Sequence, residues 1–422
     1  MLADRFLGAV VGLATGDALG GPVDGMEADQ IAERFGRIET MVDAPTDRPR
    51  QWRQTGLHSD DTQQALVIAE TILESGRAEP DLIVDKLVQL SEGPPTVPFG
   101  AHRGTGRNFR FSVMEMRRGG RWNSGSRNTA GIGASMRVAP VGLFFTGDDP
   151  AVRENAVMSA LVTHTDPRAC VAAAAVAYLV GRASRSAHTP NPREYHQEVL
   201  DFVRRSASWF MDRHGSRSHP GVRGASGQVA EALEGIRGAW DHPPEKVLPF
   251  IERQATRLAG YEIGHPCRGF ALAGVIAAVY FFLRYRDDYH QALIETVNAG
   301  GDTDSVGAIV GAMCGAAGGE GAIPEEWIER LVGLEQIRLR ALALAGETVD
   351  EESWRPLPEF ELELTLAEDR LRREAFPEGT FPETYEWESP PPRRSEADAA
   401  PTDRGASRRS SHSHRRPRRS RR

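Results

Sequence analysis

Asn298 to Ala316 reads NAGGDTDSVGAIVGAMCGA. After a Gly-Gly turn it sets two carboxylates and a hydroxyl, Asp302, Asp304 and Ser305, directly before an apolar segment with Gly307, Gly311 and Gly315 at every fourth position. That interval places the glycines along one face of a helix, and each interior glycine costs a helix about 1 kcal/mol relative to alanine. The amino-terminal stretch MLADRFLGAVVGLATGDALGG repeats the pattern with Gly8, Gly12, Gly16 and Gly20. Both segments are read as helices whose glycine faces let neighbouring backbones approach closely. Close approach holds the adjoining turns, including the acidic ones, in fixed register.

A second acidic helix start lies at HSDDTQQALVIAE, His58 to Glu70, where Ser59, Asp60 and Asp61 precede apolar residues at helical spacing. Ser and Asp cap helices, and acids in the first turn are favoured by the helix dipole. Capping needs one such side chain, so two over-supplied starts point to a shared countercharge. Carboxylates brought together repel one another unless protonated or neutralised by cations, and oxygen ligands with hydroxyls beside them suit Mg²⁺, Mn²⁺ or Ca²⁺ rather than zinc or copper.

Other stretches read as helices around Cys170, Glu198, Gln228 and Asp288, and no alternating run is long enough to build a sheet. The fold class expected is all-α. The longest apolar run, Gly269 to Leu283, is short of the ~20 residues a membrane span needs and is read as a buried core helix. The amino terminus lacks the basic start and short apolar core of a signal peptide. Residues Ser91 to Arg137 look loop-like.

Three cysteines form no CxxC pair and give no disulfide framework, so a reducing cytoplasm is the expected setting, with no membrane insertion. Net charge is −8, yet Gly405 to Arg422 holds eight arginines and no acid, which leaves 43 basic against 59 acidic groups in residues 1–404. An acidic body disfavours nucleic-acid binding by the fold itself, whereas the tail is suited to an anionic partner. The organisation expected is a catalytic domain over 1–347, a Pro- and acid-rich appendage with a short helix over 348–390, and a disordered Arg/Ser-rich tail over 391–422.

Several chemistries fall away. No GxxxxGK[ST], HExxH or GxSxG motif occurs. An EF-hand reading of DTDSVG fails because Met313 stands where the twelfth-position Glu is required. The haloacid-dehalogenase pattern D-x-D-x-V fits the letters, but a helix and Asn298-Ala299-Gly300-Gly301 precede it in place of a hydrophobic strand. The small residues of NTAGIGASMRVAP, Asn128 to Pro140, offer backbone N–H groups to a pyrophosphate. His164 precedes Asp166-Pro167 and an Ala-rich helix.

In order along the chain, GAVVGLATGDALGGPVDGM (Gly8 to Met26), HSDDTQ (His58 to Gln63), GASMRVAPVGL (Gly133 to Leu143), SALVTHTDPRA (Ser159 to Ala169), the 298–316 motif and IPEEW (Ile323 to Trp327) resemble the ADP-ribosylglycohydrolase family. The resemblance covers roughly residues 1–345. It implies an all-α fold around a binuclear centre of two Mg²⁺ or Mn²⁺ ions, and hydrolysis of the bond from ADP-ribose C1″ to an acceptor, either a protein side chain such as arginine or a small conjugate. By position it makes Ser59, Asp60, Asp61, Asp302, Asp304 and Ser305 the metal ligands, with Asp304 bridging. It makes Asp61 or Asp24 the catalytic base, and Asp17, Gly131, Gly133, Met136 and His164 the substrate lining. Serine stands at 59 and 305 where the family usually has threonine, and Asp24 where it often has glutamate. Serine keeps the ligating hydroxyl; the shorter Asp24 alters the reach of that carboxylate. The competing reading is a catalytically silent ADP-ribose binder of the same fold, against which the four retained aspartates count.

Overall fold

The computed structural model describes residues 2–48, 52–186 and 191–377. The chain runs through α1 (Leu2–Gly20), α2 (Ala28–Phe35), α3 (Asp60–Ser75), α4 (Pro80–Leu90), α5 (Arg107–Arg117) and α6 (Ala139–Phe144). There follow α7 (Asp149–Leu161), α8 (Pro167–Ser184), α9 (Pro192–His214), α10 (Gln228–Gly235), α11 (Pro244–Ala259), α12 (Ile276–Tyr285) and α13 (Tyr289–Asn298). The last four are α14 (Thr303–Gly318), α15 (Glu325–Arg330), α16 (Leu334–Leu344) and α17 (Leu357–Ala375). Among the described residues no strand forms, only three isolated bridges, as the all-α expectation requires.

The glycine faces of α1 and α14 meet each other. The helices lie antiparallel, with Gly8 against Gly315, Gly12 against Gly311, Gly16 against Gly307 and Gly20 against Thr303. A Cβ on Gly307 would stand 2.6 Å from the Gly16 carbonyl oxygen, and one on Gly12 2.5 Å from that of Gly311, so backbone touches backbone along the whole pair. Thr303 Oγ1 donates to the Gly20 carbonyl at 2.8 Å and Tyr289 Oη to that of Gly12 at 2.9 Å. Although Leu2–Val23 is long and apolar enough to cross a membrane, 94% of its most apolar window is buried by its neighbours. The antiparallel register sets the C-terminal end of α1, with Asp17 and the following turn, beside the N-terminal start of α14.

Three segments differ from their sequence reading. The apolar run from Gly269 is not one α-helix: Ala271–Val275 forms a π turn before α12. A Cβ on Gly274 would come within 2.6 Å of the Arg268 carbonyl oxygen and 2.8 Å of Ile132 Cδ1, so the wider turn accommodates a crossing chain. The loop-like stretch before Arg137 contains α5, whose buried face is Ser112, Val113, Glu115 and Met116. Residues 357–375 of the expected appendage form a helix of 19 residues, and α17 packs on α3 and α4. Its buried face, Leu357, Phe360, Glu361, Thr365 and Glu368, repeats at helical spacing. The remainder of the 348–390 segment beyond residue 377 and the 391–422 tail lie outside the described residues.

Candidate active site

Asp17 ties α1 to the start of α3. Its two carboxylate oxygens each accept the Ser59 backbone N–H at 2.9 Å, and Oδ2 also accepts from Thr62 N at 3.1 Å and Thr62 Oγ1 at 2.6 Å. These are the orphan donors of a helix N-terminus, capped by a side chain from another helix. Asp17, expected as substrate lining, is fully buried here, and both its oxygens position the start of α3.

A second clasp brings in Asp24. Gly25 N donates to the Gly301 carbonyl and Gly301 N to that of Met26, both at 2.8 Å. Gly300 and Gly301 hold φ of +77° and +84°, a region favouring glycine, and a Cβ on Gly300 would stand 2.6 Å from the Met26 carbonyl oxygen. The clasp delivers Asp24 to Asp302 and Asp304, one carboxylate oxygen of each lying within 4.8 Å of the other two.

Asp60 and Asp61 line the same cavity of about 440 Å³. Asp60 Oδ2 accepts from Gln64 Nε2 at 2.6 Å, and Asp61 Oδ2 from Ser59 Oγ at 2.9 Å. Asp61 Oδ1 is buried without a hydrogen-bond partner. Ser59 is buried beside Asp61 rather than on the cavity wall, whereas Ser305 reaches the wall, its N–H donating to Asp304 Oδ1 at 2.8 Å. Gly131, Gly133, Met136 and His164 form another part of the wall, and Arg107, Asn108 and Phe109 at the start of α5 contribute a further part. His164 Nδ1 lies 2.8 Å from Thr163 Oγ1; burial and then Arg137 push its pKa down to about 3, so it offers the cavity a neutral imidazole.

Burial first and the Asp304 charge second push Asp24 up to about 8 and Asp60 up to about 7, and hold Asp61 and Asp302 well above the carboxylate range. Such carboxyls bind protons in the folded chain that the unfolded chain, at 3.8, has released. Between pH 5.5 and 8.5 stability in the absence of cations should then fall, the raised carboxyls outweighing His102, His164, His196 and His214, whose lowered pKa values act in the opposite direction below about 6.5. Thermal unfolding in chelator at pH 5.5 and 8.5 tests this: a lower midpoint at 8.5 is expected, shifting by roughly 2 °C per 1 kcal/mol for a large domain, and an unchanged or higher one would contradict it.

Two arginines that sequence reasoning missed, half-buried Arg53 and buried Arg137, balance part of this charge. Burial disfavours the charged form of Arg53, but Glu368, Asp304, Asp24 and Asp60 outweigh it and hold the guanidinium protonated. Arg137, 1% exposed, donates to Gln64 Oε1 at 2.5 Å, the Ser159 carbonyl at 2.7 Å and Thr163 Oγ1 at 2.8 Å. Gln64 in turn holds Asp60, so Arg137 anchors one side of the acidic cluster and one side of the His164 wall. Arg137→Met keeps much of the volume but strands these acceptors, and a loss of about 3 kcal/mol in urea unfolding is expected; a loss under about 1 kcal/mol would deny the anchoring role.

The sequence model of the ADP-ribosylglycohydrolase family matches residues 1–356. The ADP-ribosyl-dinitrogen-reductase glycohydrolase of Rhodospirillum rubrum is 25% identical over 355 residues, covering 81% of this chain and 97% of its own. The ADP-ribosylarginine hydrolase of Serratia proteamaculans is 24% identical over 343 residues, 79% of this chain and 77% of its own. The solved structure of an ADP-ribosylglycohydrolase-related protein complex, 27% identical, superposes with a TM-score of 0.58 over 82% of this chain and 99% of that one.

Proposed function

The chain belongs to the ADP-ribosylglycohydrolase family, and we propose that it cleaves the glycosidic bond between C1″ of ADP-ribose and a protein arginine with the help of two divalent cations, Mg²⁺ or Mn²⁺. The observation that carries this reading is the convergence of Asp24, Asp302 and Asp304 with Asp60 and Asp61 around one cavity. The donor set fits hard cations: every candidate ligand is an oxygen, and Asp61 Oδ1 is buried with no hydrogen-bond partner. Five carboxylates this close also repel one another until something positive joins them. The names of the Serratia and Rhodospirillum relatives support the ADP-ribosyl substrate, and the former supports arginine as acceptor.

Asp60, Asp61, Asp302 and Asp304, with the hydroxyl of Ser305, would hold the ions, while Ser59 Oγ, donating to Asp61 Oδ2, orients that carboxylate. When bound, these supply Lewis acidity to orient the distal ribose hydroxyls and a water. Four of the aspartates sit at helix starts, Asp60 and Asp61 on α3, Asp302 and Asp304 on α14, where the helix dipole favours the ionised form. Asp24 follows α1 on a turn clasped to Gly301 rather than at a helix start, on the opposite side of the cluster from α3, so it is assigned to take the proton from the attacking water. The neutral His164 and the Gly131 to Gly133 backbone line the remaining wall. Their N–H groups and small size suit the rest of the nucleotide, with Arg137 holding His164 in place through Thr163.

The test is release of free ADP-ribose, followed by mass spectrometry, from arginine- and serine-ADP-ribosylated peptides with Mg²⁺, with EDTA, and with the Asp24→Asn variant. Release from the arginine peptide alone, stopped by EDTA and reduced about a hundredfold by the substitution, is expected. Release from the serine peptide instead would change the acceptor. No release from either, with ADP-ribose still bound, would identify a silent binder.

A further inference from the structure

The family match ends at Pro356, and α17 begins at the next residue, Leu357. This helix nevertheless reaches the acidic cluster's foundation. Glu361, fully buried, accepts from His58 Nε2 at 3.0 Å, Gln63 Nε2 at 2.8 Å and Arg103 Nη2 at 2.6 Å. His58 and Gln63 flank the Ser59–Asp61 segment. Arg103 spans the same joint, with Nε on the His58 carbonyl at 3.1 Å and Nη1 on the Glu361 carbonyl at 3.1 Å and on Thr365 Oγ1 at 3.0 Å. One turn further, Thr365 Oγ1 donates to the Ala101 carbonyl at 2.7 Å, the same carbonyl that Gln63 Nε2 reaches at 2.8 Å.

The next buried acid on this face acts on the other side of the cluster. Glu368, 1% exposed, accepts the Gln54 backbone N–H at 3.3 Å, and its charge is the largest of those holding the neighbouring Arg53 protonated. Arg53 also lies within the fields of Asp24, Asp60 and Asp304. The ring of Phe376, just past α17, meets Trp52 edge-on at 6.4 Å. Two carboxylates buried at i and i+7 of a surface helix are costly unless paired and hydrogen-bonded; Glu361 is spent on the start of α3, and Glu368 accepts through Oε2 from Arg372 on its own helix at 3.2 Å and through Oε1 from the segment that carries Arg53.

We propose that α17 is a working part of the active site, in which Glu361 and Glu368 are positioning residues: Glu361 fixes the start of α3 through His58, Gln63 and Arg103, and Glu368, by accepting the Gln54 N–H, holds in place the 52–54 segment that carries Arg53 beside the carboxylates that receive the divalent cations. This rests on the cation reading above. Removing Glu361's charge loosens the geometry of Ser59 to Asp61, and removing that of Glu368 weakens the hold on the 52–54 segment, so that Arg53 can shift toward the acidic oxygens and compete with the cations.

Mn²⁺ binding to the full chain, measured by electron paramagnetic resonance together with thermal unfolding, tests it in wild type, Glu361→Gln and Glu368→Gln. Wild type is expected to bind Mn²⁺, folded Glu361→Gln to bind at least tenfold more weakly, and Glu368→Gln at least threefold more weakly. A merely structural role would lower the unfolding midpoint and leave the affinity of the folded protein alone. Unchanged Mn²⁺ affinity in folded Glu361→Gln overturns the proposal. If that variant fails to fold, Glu368→Gln decides, and wild-type affinity there overturns it. A wild type that takes up no Mn²⁺ overturns the cation reading itself, and this proposal with it.

Discussion

Gly307→Ala is expected to cost this protein about 3 kcal/mol or more, although alanine is intrinsically the better helix former by about 1 kcal/mol. The added methyl would stand 2.6 Å from the Gly16 carbonyl oxygen and 3.1 Å from its carbon. Neither is the end of a flexible side chain. Both belong to helix backbone that is fixed at three further glycine contacts along α1 and α14, so relief requires the two helices to move apart. That movement would also separate Asp302 and Asp304 at the start of α14 from Asp17 and Asp24 at the end of α1, so Mn²⁺ affinity should fall together with stability. Urea unfolding against Gly224→Ala, where an added Cβ meets nothing within 4 Å, isolates the steric cause. The control should stay within about 0.5 kcal/mol of wild type. A Gly307→Ala protein as stable as the control would mean the helices are not in contact there.

The two features legible in the sequence were those written as excess. Seven glycines at four-residue spacing made little sense for isolated helices, and doubled carboxylates at 60–61 and 302 and 304 exceeded what capping needs. Residues with ordinary local readings were missed. Arg137 is a single cation in SMRVAP, with nothing in its neighbours to say that Gln64, Ser159 and Thr163 surround it. Arg53 sits in a stretch without periodicity. Asp17 enters the sequence reading only through the family resemblance, as substrate lining, because that its oxygens cap α3 depends on where two distant segments meet. Glu361 is the hardest case: Glu359 and Glu363 beside it are exposed, so composition marks the whole stretch as a solvated acidic helix. Its face becomes apparent only when 357, 360, 361, 365 and 368 are taken together, and that face mixes apolar residues with acids, which the hydrophobic periodicity signal does not detect.

Asp304→Asn separates function from stability most sharply, because its two expected effects have opposite signs. The Asp304 charge is the largest of the charges that raise Asp24, Asp60, Asp61 and Asp302, which makes it the central repulsive element of the cluster. Under the cation reading it would be a ligand, with a carboxylate oxygen lying within 4.8 Å of those of Asp24 and Asp302 on the cavity that Asp60 and Asp61 also line. An amide of the same shape removes the repulsion and the anionic ligand together. Turnover with Mg²⁺ should fall at least about a thousandfold, equivalent to about 4 kcal/mol of barrier. The cation-free variant should meanwhile unfold at a temperature equal to or above that of cation-free wild type, and its stability should decline less between pH 5.5 and 8.5. The cluster would then be a case of function maintained against stability, with the divalent cations reversing the balance in the wild type alone: Mn²⁺ should raise the unfolding midpoint of wild type and leave that of Asp304→Asn nearly unmoved. A variant that retains turnover within tenfold of wild type removes the assigned role. One that is inactive but markedly less stable without cations shows instead that Asp304 holds the fold, and the repulsion argument fails.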